Sequence, residues 1–479
     1  MFPSRTWLCS MRLADLSSRR IAVWGLGREG RAAIGFLRQR HPNLPLVLLD
    51  DAQGARVPEE FGAGTVCAFG TNRIAGALED IDVIVKSPGV SLYRREIQSA
   101  REKGVRITSL LNLWFAEQLG ITTICVTGTK GKSTTASLIA HILARMGRKV
   151  ALVGNIGIPI TEIDTAHTDY AVIEVSSYQA ADFDGMCDVA VLTSLYPEHI
   201  DWHLSVESYF RDKANLLSHS RFRIINRDTT EAVDQLIGAS ASRKSVFNDG
   251  SGIHSRDTEI RDGNKRIGQV CNAYLARPHN RSNLCAALAA AKALDIDVAA
   301  ALDVTRGFRG LPHRQQELGE IGGVLFVDDS ISTIPESTIA ALAVYAGRDI
   351  TVIVGGYDRK IDYGRLVEDV LAGAAKTIIC IGDSGRRIYD QAQAALNQRH
   401  ASACVIHYAR SMADAVSFAS RVTPSGGVVL LSPAAPSYGS YRDYIERGRD
   451  FAAKIALLKP VPTHSHPEWL ASPRGGERS

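Results

Sequence analysis

Three α/β domains built on mostly parallel sheets are what this sequence predicts, and three observations carry the prediction. Short apolar, β-branched runs alternate with amphipathic stretches from about residue 20 to about residue 455, the pattern of successive βα units. Two glycine-rich turns each follow an apolar run and open a helical stretch: Gly25-Leu-Gly27-Arg28-Glu29-Gly30, and Gly128-Thr129-Lys130-Gly131-Lys132-Ser133-Thr134. At 479 residues the chain is too long for one ordinary core, and about three domains fit that length.

Composition sets the class. The chain is 45% hydrophobic and 22% charged, as in soluble globular proteins. With 55 basic and 51 acidic residues the net charge is +4, so no broad field attracts nucleic acid or an acidic membrane; an anionic substrate must be met by local basic groups. No apolar run reaches the ~18–20 residues that span a bilayer. The first residues carry Arg5, Arg12, Arg19 and Arg20 without a continuous apolar core, which argues against a signal peptide. Eight cysteines include no CxxC pair, so buried free thiols in a reducing compartment are expected. A cytoplasmic enzyme is the expectation, with no nucleic-acid partner and no membrane insertion.

Domain by domain, the first block covers 1–115. Strands are expected at 20–24, 46–50 and 83–86, with a helix from the first glycine turn to about 40. Gly25 to Gly30 has the GxGxxG spacing of a Rossmann-like dinucleotide fold, and Asp50 lies twenty residues on. By itself that spacing is weak: the glycines serve equally for close helix–strand packing, or for a nucleotide diphosphate other than NAD at the helix N-terminus. The second block, 116–311, opens with a strand at 121–126, then the second loop, then a helix at 134–145. Strands follow at 170–175, 189–193 and 222–226, a small β excursion at 254–273, and a helix at 283–294. The third block, 312–460, places strands at 324–328, 350–354, 377–381, 404–408 and 427–431 with helices between, a second Rossmann-like sheet. Residues 461–479, rich in proline, glycine and charge, read as a disordered tail.

The chemistry centres on the second loop. Strand, Gly128 to Ser133, and helix stand in phosphate-loop order; backbone N–H groups wrap phosphate oxygens, Lys132 bridges the outer phosphates, and a hydroxyl of Ser133 or Thr134 ligates Mg²⁺. Nucleoside triphosphate binding is the expectation, with the acceptor left open. Glu174 ends an apolar strand in Glu174-Val-Ser-Ser177-Tyr-Gln179, where a carboxylate can hold Mg²⁺. A second polar cluster, Glu198-His199-Ile-Asp201-Trp-His203, ends the next strand, and His199 is a candidate second metal ligand.

The ordered set of motifs resembles the Mur ligase family across about 20–455. Beyond the loop, it comprises Gly154-Asn155-Ile-Gly-Ile-Pro159, Glu174 to Gln179, His199-Ile-Asp, Lys213, His279-Asn280 with Asn283, Leu311-Pro-His-Arg314, Asp329-Ser330, Gly355-Gly356 and Leu431-Ser-Pro-Ala434. The MurD type, which adds glutamate to UDP-N-acetylmuramoyl-L-alanine, is the most similar. The resemblance implies that ATP phosphorylates the substrate's terminal carboxylate and that glutamate's amine attacks the acyl phosphate, with positioning and charge neutralisation carrying catalysis. It implies ATP and Mg²⁺ as cofactors, and Lys132, Glu174, His199 and Lys213 as catalytic. Gly128, Thr129, Lys130, Gly131, Ser133 and Thr134, then Asn280, Asn283, Arg314 and Asp329, would bind ATP. Ser133, Glu174, His199 and a carbamylated Lys213 would hold metal. Gly27, Arg28, Asp50, Ser87 and Gly89 would take the uridine diphosphate, and Asn155, Ser177 and Gln179 the muramoyl-alanine. Thr333, Arg359, Ser437 and Tyr444 would take glutamate. The three blocks would thus bind the UDP substrate, ATP and the amino acid in turn.

The amino-acid motifs depart from the commonest glutamate-adding pattern. Asp329-Ser-Ile331-Ser-Thr333-Ile334 lacks that pattern's lysine, and Ser432-Pro-Ala-Ala-Pro436-Ser437 stands where Ser-Pro-Ala-Cys-Ala-Ser is usual. This is similar to the branch that adds L-glutamate, so L-Glu is favoured, with D-Glu addition the alternative. From another class, a non-catalytic nucleotide-binding regulator on the same fold remains; intact Lys132, Glu174, His199 and Lys213 speak against it.

Overall fold

The three inner strands of the first sheet are short, mainly apolar segments, and the central one, Ile21-Ala-Val-Trp24, is buried at every position, as a parallel strand covered on both faces must be. The computed structural model describes residues 11–458 apart from 56, 58–60, 62–64, 118–119, 157, 239–242 and 399–403. Cys9, Gly157 and the expected tail at 461–479 therefore lie outside the described residues. The chain divides into two compact units, Met1–Phe308 and Arg309–Ser479.

The first unit holds two parallel sheets and a small antiparallel one. Strands β1 (Ile21–Trp24), β2 (Leu46–Asp50), β3 (Thr65–Phe69), β4 (Val83–Lys86) and β5 (Arg106–Thr108) form a five-stranded sheet ordered β3-β2-β1-β4-β5. Strands β6 (Thr122–Thr127), β7 (Val150–Gly154), β8 (Tyr170–Glu174), β9 (Cys187–Leu192), β10 (Ser220–Asn226) and β11 (Arg243–Phe247) form a six-stranded sheet ordered β11-β10-β9-β6-β8-β7. In each sheet the strand that precedes a glycine loop lies where the strand order reverses, with chain wound to opposite sides of it: β1 between β2 and β4, β6 between β9 and β8. Those are the switch points where open α/β sheets bind ligands outside the carboxyl ends of their strands. Strands β12 (Ile253–Arg256), β13 (Glu259–Asp262) and β14 (Lys265–Gln269) make the antiparallel excursion. Helix Pro278–Ala293, with proline in its first turn, buries an alanine-rich face against helix Lys132–Arg145.

The second unit carries one mixed sheet: β15 (Gln316–Ile321), β16 (Val324–Asp328), β17 (Ile350–Val354), β18 (Thr377–Ile381), β19 (Val405–Ala409) and β20 (Val428–Leu431), ordered β15-β16-β20-β17-β18-β19. Strands expected at 46–50, 83–86, 324–328, 350–354 and 377–381 occupy those residues. Strand β15 was not foreseen. It pairs antiparallel on the edge with its outer positions exposed, so Gln316-Glu-Leu-Gly-Glu-Ile lacks the apolar run that marks a buried strand. Strands β3, β5, β7 and β11 were also unassigned; β5 spans 3 residues and β3 is partly exposed. Among the described residues all cysteines are free, with Cys125, Cys187, Cys285 and Cys380 buried but Cys67 and Cys271 exposed.

Candidate functional site

The turn after β1 is built so that little can replace its glycines. Gly25 sits at φ +90°, and a Cβ on Gly30 would lie 1.8 Å from the Gly25 carbonyl oxygen, so helix Arg28–Arg40 packs directly on the turn. Two predicted residues brace it. Asp50 at the end of β2 accepts the Leu26 N–H at 2.7 Å, and the Ser87 hydroxyl donates to the Gly25 carbonyl at 2.6 Å. Gly27 is the N-cap of the helix and has no side-chain cap of its own, which leaves helical N–H groups open toward an anion.

The phosphate loop is held in the same manner. Gly128 has φ +146°, and a Cβ there would lie 2.0 Å from Thr193 Oγ1; Gly131, at φ +87°, is the N-cap of helix Lys132–Arg145 and lies against Asn283. The Thr193 hydroxyl donates to the Lys130 carbonyl at 2.6 Å, and Ser194 Oγ accepts the Lys130 N–H at 2.9 Å. Thr129 Oγ1 is within 2.9 Å of the Tyr209 hydroxyl, while Lys130 pairs with Glu198 at 2.7 Å. Ser133 and Thr134 are buried at the helix start. Asn283 and Asn280 follow on helix Pro278–Ala293, Asn283 Nδ2 donating to Asn280 Oδ1 at 3.4 Å and Asn280 Nδ2 to the Tyr274 carbonyl at 2.9 Å.

Lys132 and Lys213 meet at one atom. The Lys132 ammonium donates to the Gly128 carbonyl at 2.8 Å and to the Thr129 carbonyl at 3.0 Å; Lys213 donates to the same Gly128 carbonyl at 2.9 Å. Lys213 is 1% exposed. Burial, and then the charge of Lys132, hold its amine well below the usual lysine range, because both disfavour the charged form. Glu174, at the end of β8, is buried, and its Oε2 has no hydrogen-bond partner among the described residues. That buried carboxylate oxygen is free to accept from a ligand, ion or water. His199 adopts a left-handed conformation at φ 56°, and burial lowers its affinity for a proton. Among the described residues no three His, Cys, Asp or Glu side chains converge as a metal site.

One cavity of about 560 Å³ joins the two loops. Gly27, Arg28, Asp50, Ser87 and Gly89 line it from the first sheet, and Lys132, Asn155, Ser177, His199 and Lys213 from the second. Gln179 is not in this lining. Its Oε1 accepts the Ser176 N–H and hydroxyl at 3.0 Å, closing a capping box, and its Nε2 donates to Glu29 Oε1 at 2.7 Å. Glu29 therefore faces the cavity where Gln179 was expected to reach. Burial pushes its carboxyl up to about 7 against the charges of Arg28 and Lys86. The Lys86–Asp182 pair behind it, 3.1 Å apart and nearly sealed from solvent, was not anticipated from the sequence either; a lysine ending the apolar strand Val83-Ile-Val-Lys86 was the available signal.

In the second unit Asp329 follows β16 and is buried. It accepts the Ser332 hydroxyl at 2.6 Å, the Ser432 hydroxyl at 2.7 Å and the Gln315 N–H at 3.1 Å. Burial raises its carboxyl to about 6, opposed by those hydroxyls and by the charge of Arg314. Arg359 donates to the Thr333 carbonyl at 2.8 Å. Buried Ser437 lies in the next loop, where Tyr357 N–H bonds the Pro436 carbonyl at 2.9 Å. Tyr444 begins helix Tyr444–Ala456, and its carbonyl accepts the Ser330 hydroxyl at 2.8 Å. One turn on, buried Arg447 donates to the Ser330 hydroxyl and carbonyl and to the Ala435 carbonyl at 2.8–3.0 Å. It ties the Asp329-Ser330 turn to the Ser432-Pro-Ala-Ala435 motif, a task no local pattern announces.

Comparison with known proteins places this arrangement. Residues 19–109 match the Mur ligase MurD-like N-terminal domain, 126–291 the Mur ligase middle domain, and 313–435 the Mur ligase glutamate ligase domain. A UDP-N-acetylmuramoyl-L-alanine--L-glutamate ligase of Xanthomonas campestris pv. campestris is 40% identical over 468 residues, 95% of this chain and 99% of that protein. Proteins of the same name from Xanthomonas axonopodis pv. citri and Salinispora tropica are 38% and 39% identical, covering 94% and 93% of this chain and 98% and 99% of theirs. In fold the chain is similar to MurF from Acinetobacter baumannii, with a TM-score of 0.56 at 16% identity over 94% of this chain and 98% of that one. It is also similar to the UDP-N-acetylmuramate-alanine ligase MurC of Thermotoga maritima, with a TM-score of 0.55 at 18% identity over 92% of this chain and 100% of that one.

Proposed function

The chain belongs to the Mur ligase family, and on that premise we propose that it joins L-glutamate to UDP-N-acetylmuramoyl-L-alanine with conversion of ATP to ADP and phosphate, in peptidoglycan precursor synthesis. The observation that carries the reading is the cavity of about 560 Å³, open at once to the helix N-terminus after β1 and to the phosphate loop after β6. One end suits a nucleotide diphosphate and the other the phosphates of ATP. The acceptor's terminal carboxylate, a poor electrophile until an oxygen becomes a good leaving group, is phosphorylated, and glutamate's amine displaces phosphate from the acyl phosphate. No nucleophilic side chain is required, so the protein's part is orientation and charge neutralisation.

In this reading residues 1–115 bind the uridine diphosphate, 116–311 bind ATP and 312–460 bind glutamate. Lys132 and the loop amides Gly128 to Ser133 hold the phosphates. Ser133 and Glu174 suit Mg²⁺ as hard oxygen donors, the unpartnered Glu174 Oε2 above all, and the ion when bound neutralises phosphate charge. His199, with Lys213 if carbamylated, would hold a second ion. The depressed basicity of Lys213 suits capture of CO₂ as a carbamate, which would turn an amine into an oxygen ligand. Asn280 and Asn283 serve the nucleotide from the first unit, and Arg314 and Asp329 are assigned to ATP on the family motif alone. Gly27, Arg28, Asp50, Ser87 and Gly89 take the diphosphate end, and Asn155, Ser177 and Gln179 the muramoyl-alanine, with Gln179 bonded to Glu29. Thr333, Arg359, Ser437 and Tyr444 select the amino acid. No helix of the described residues is long and apolar enough to cross a membrane; a cytoplasmic monomer is part of the same proposal.

The choice of L-glutamate rests on the names of the relatives and on the altered 329–334 and 432–437 segments. Product formation from UDP-N-acetylmuramoyl-L-alanine, ATP and each pure enantiomer tests it. Turnover with L-glutamate at least tenfold above D-glutamate is the expected result; equal or D-preferring turnover overturns it.

A further inference from the structure

Trp202 follows the second sheet in chain order, yet it packs in the core of the first: it is 8% exposed, in one cluster with Trp24, Ile84 and Leu92. Its indole N–H donates to the Pro88 carbonyl at 3.1 Å, and its own carbonyl accepts the Ser91 hydroxyl at 2.8 Å. Both bonds end on the loop after β4 that carries Ser87 and Gly89. The element held in this way cannot hold itself. Ile200–His203 is a single helical turn, too short to be stable alone. It is bracketed by two left-handed residues that are not glycine, His199 at φ 56° and Leu204 at φ 67°, conformations that persist only where the surroundings over-determine them. Tyr178 completes the support: its ring stacks on Trp202 with centroids 4.8 Å apart and lies 5.2 Å from the His199 ring.

We propose that Trp202 is a positioning residue, a strut through which a ligand that orders the Ser87-Pro88-Gly89 turn also holds the turn that presents His199. The Pro88 carbonyl stands between the two residues that face the cavity. When a bound anion fixes that turn it fixes the carbonyl as well, and the bond to the indole then costs less order to keep. On the ligase reading, which puts the uridine diphosphate against Ser87 and Gly89 and on which the proposal rests, the strut couples the diphosphate end of the cavity to His199 on the side of the second sheet. Other bonds keep the two sheets joined without it. The Tyr93 hydroxyl donates at 3.0 Å to Asp212 in helix Val206–Ser218, and Asp212 is also bonded to His203, whose other ring nitrogen lies 3.0 Å from Ser177 Oγ.

Amide hydrogen exchange tests it, with the full chain and UDP-N-acetylmuramoyl-L-alanine and with neither ATP nor metal. The Trp202, His203 and Leu204 N–H groups bond within the turn, to the His199 and Ile200 carbonyls, so their exchange reads its opening. In the parent the substrate should protect 25–30 and 87–91 and should also slow these three amides by about fivefold or more, the low end of an ordinary coupling between sites. Trp202→Phe keeps a ring and loses the N–H; Ser91→Ala leaves the indole in place should Trp202→Phe fail to fold. Each should keep the protection at 25–30, which shows the variant folded and loaded, and cut the response at 202–204 to below about twofold, as loss of one neutral hydrogen bond allows. Tyr93→Phe, which removes a bond between the same two sheets but none to Trp202, should keep both responses. Parent amides at 202–204 that do not respond, a full response in Trp202→Phe and Ser91→Ala, or an equal loss in Tyr93→Phe overturns the strut while the ligase reading stands. A parent in which the substrate protects neither 25–30 nor 87–91 overturns the diphosphate site of that reading, and the strut with it.

Discussion

At the scale of single residues, side chains that serve other side chains define this site as much as those that face the cavity. Asp50 and Ser87 are occupied in holding the Gly25 turn, and Gln179 is occupied in holding Glu29. Glu29 has the clearest energetic consequence. Burial raises its carboxyl from 4.5 to about 7, so across that interval the folded chain keeps a proton that the unfolded chain releases. Its contribution to stability is therefore complete below about pH 4.5 and lost as pH rises through about 7. Glu29→Gln keeps the bond to Gln179 and removes the charge. Urea denaturation should show the variant within about 1 kcal/mol of the parent at pH 5 and more stable by about 2–3 kcal/mol at pH 8. Equal stability at both values would mean that the carboxylate is solvated as in water.

At the scale of elements, strand ends and helix starts meet in pairs that the chain order does not suggest. Lys86 ends β4 and Asp182 follows helix Ser177–Ala181, and their ion pair is sealed at 1% and 3% side-chain exposure. Removing one partner leaves the other charged and unpaired. Lys86→Met should cost about 3–5 kcal/mol by chemical denaturation, whereas Lys86→Met with Asp182→Leu should recover most of that loss; an undiminished single variant would show the pair contributes nothing. Such pairs mark the limit of what the sequence makes legible. The apolar strands of both parallel sheets and the phosphate loop are local signals, because burial on two faces and a backbone that wraps an anion each leave a contiguous pattern. Edge strand β15 left none, since one of its sides stays in water. His203, Asp212 and Arg447 left none, because their roles depend on partners 26, 119 and 117 positions away. The motif of Gln179 points to substrate binding, and its bond to Glu29 across the sheets is a partner that the motif does not announce.

At the scale of the whole molecule, the chain consists of two units with separate cores. Residues of the second pack around β16 to β20 in two clusters of their own, one on each face of the sheet. A fragment covering 309–458 should accordingly express as a folded domain with a cooperative thermal transition, and it should not bind ATP on its own, because the phosphate loop lies in the other unit. A fragment without a transition would show that its core needs the remainder of the chain. The first unit, for its part, leaves two amines contending for the single carbonyl of Gly128, and the charge of one depresses the basicity of the other. Couplings of this kind run equally in both directions. An anion that draws Lys132 away frees Lys213 from a repelling neighbour, and whatever alters the protonation of Lys213 alters the hold on that anion by the same factor. Acidity and an anion at the phosphate loop are then linked variables, each shifting the protein's response to the other.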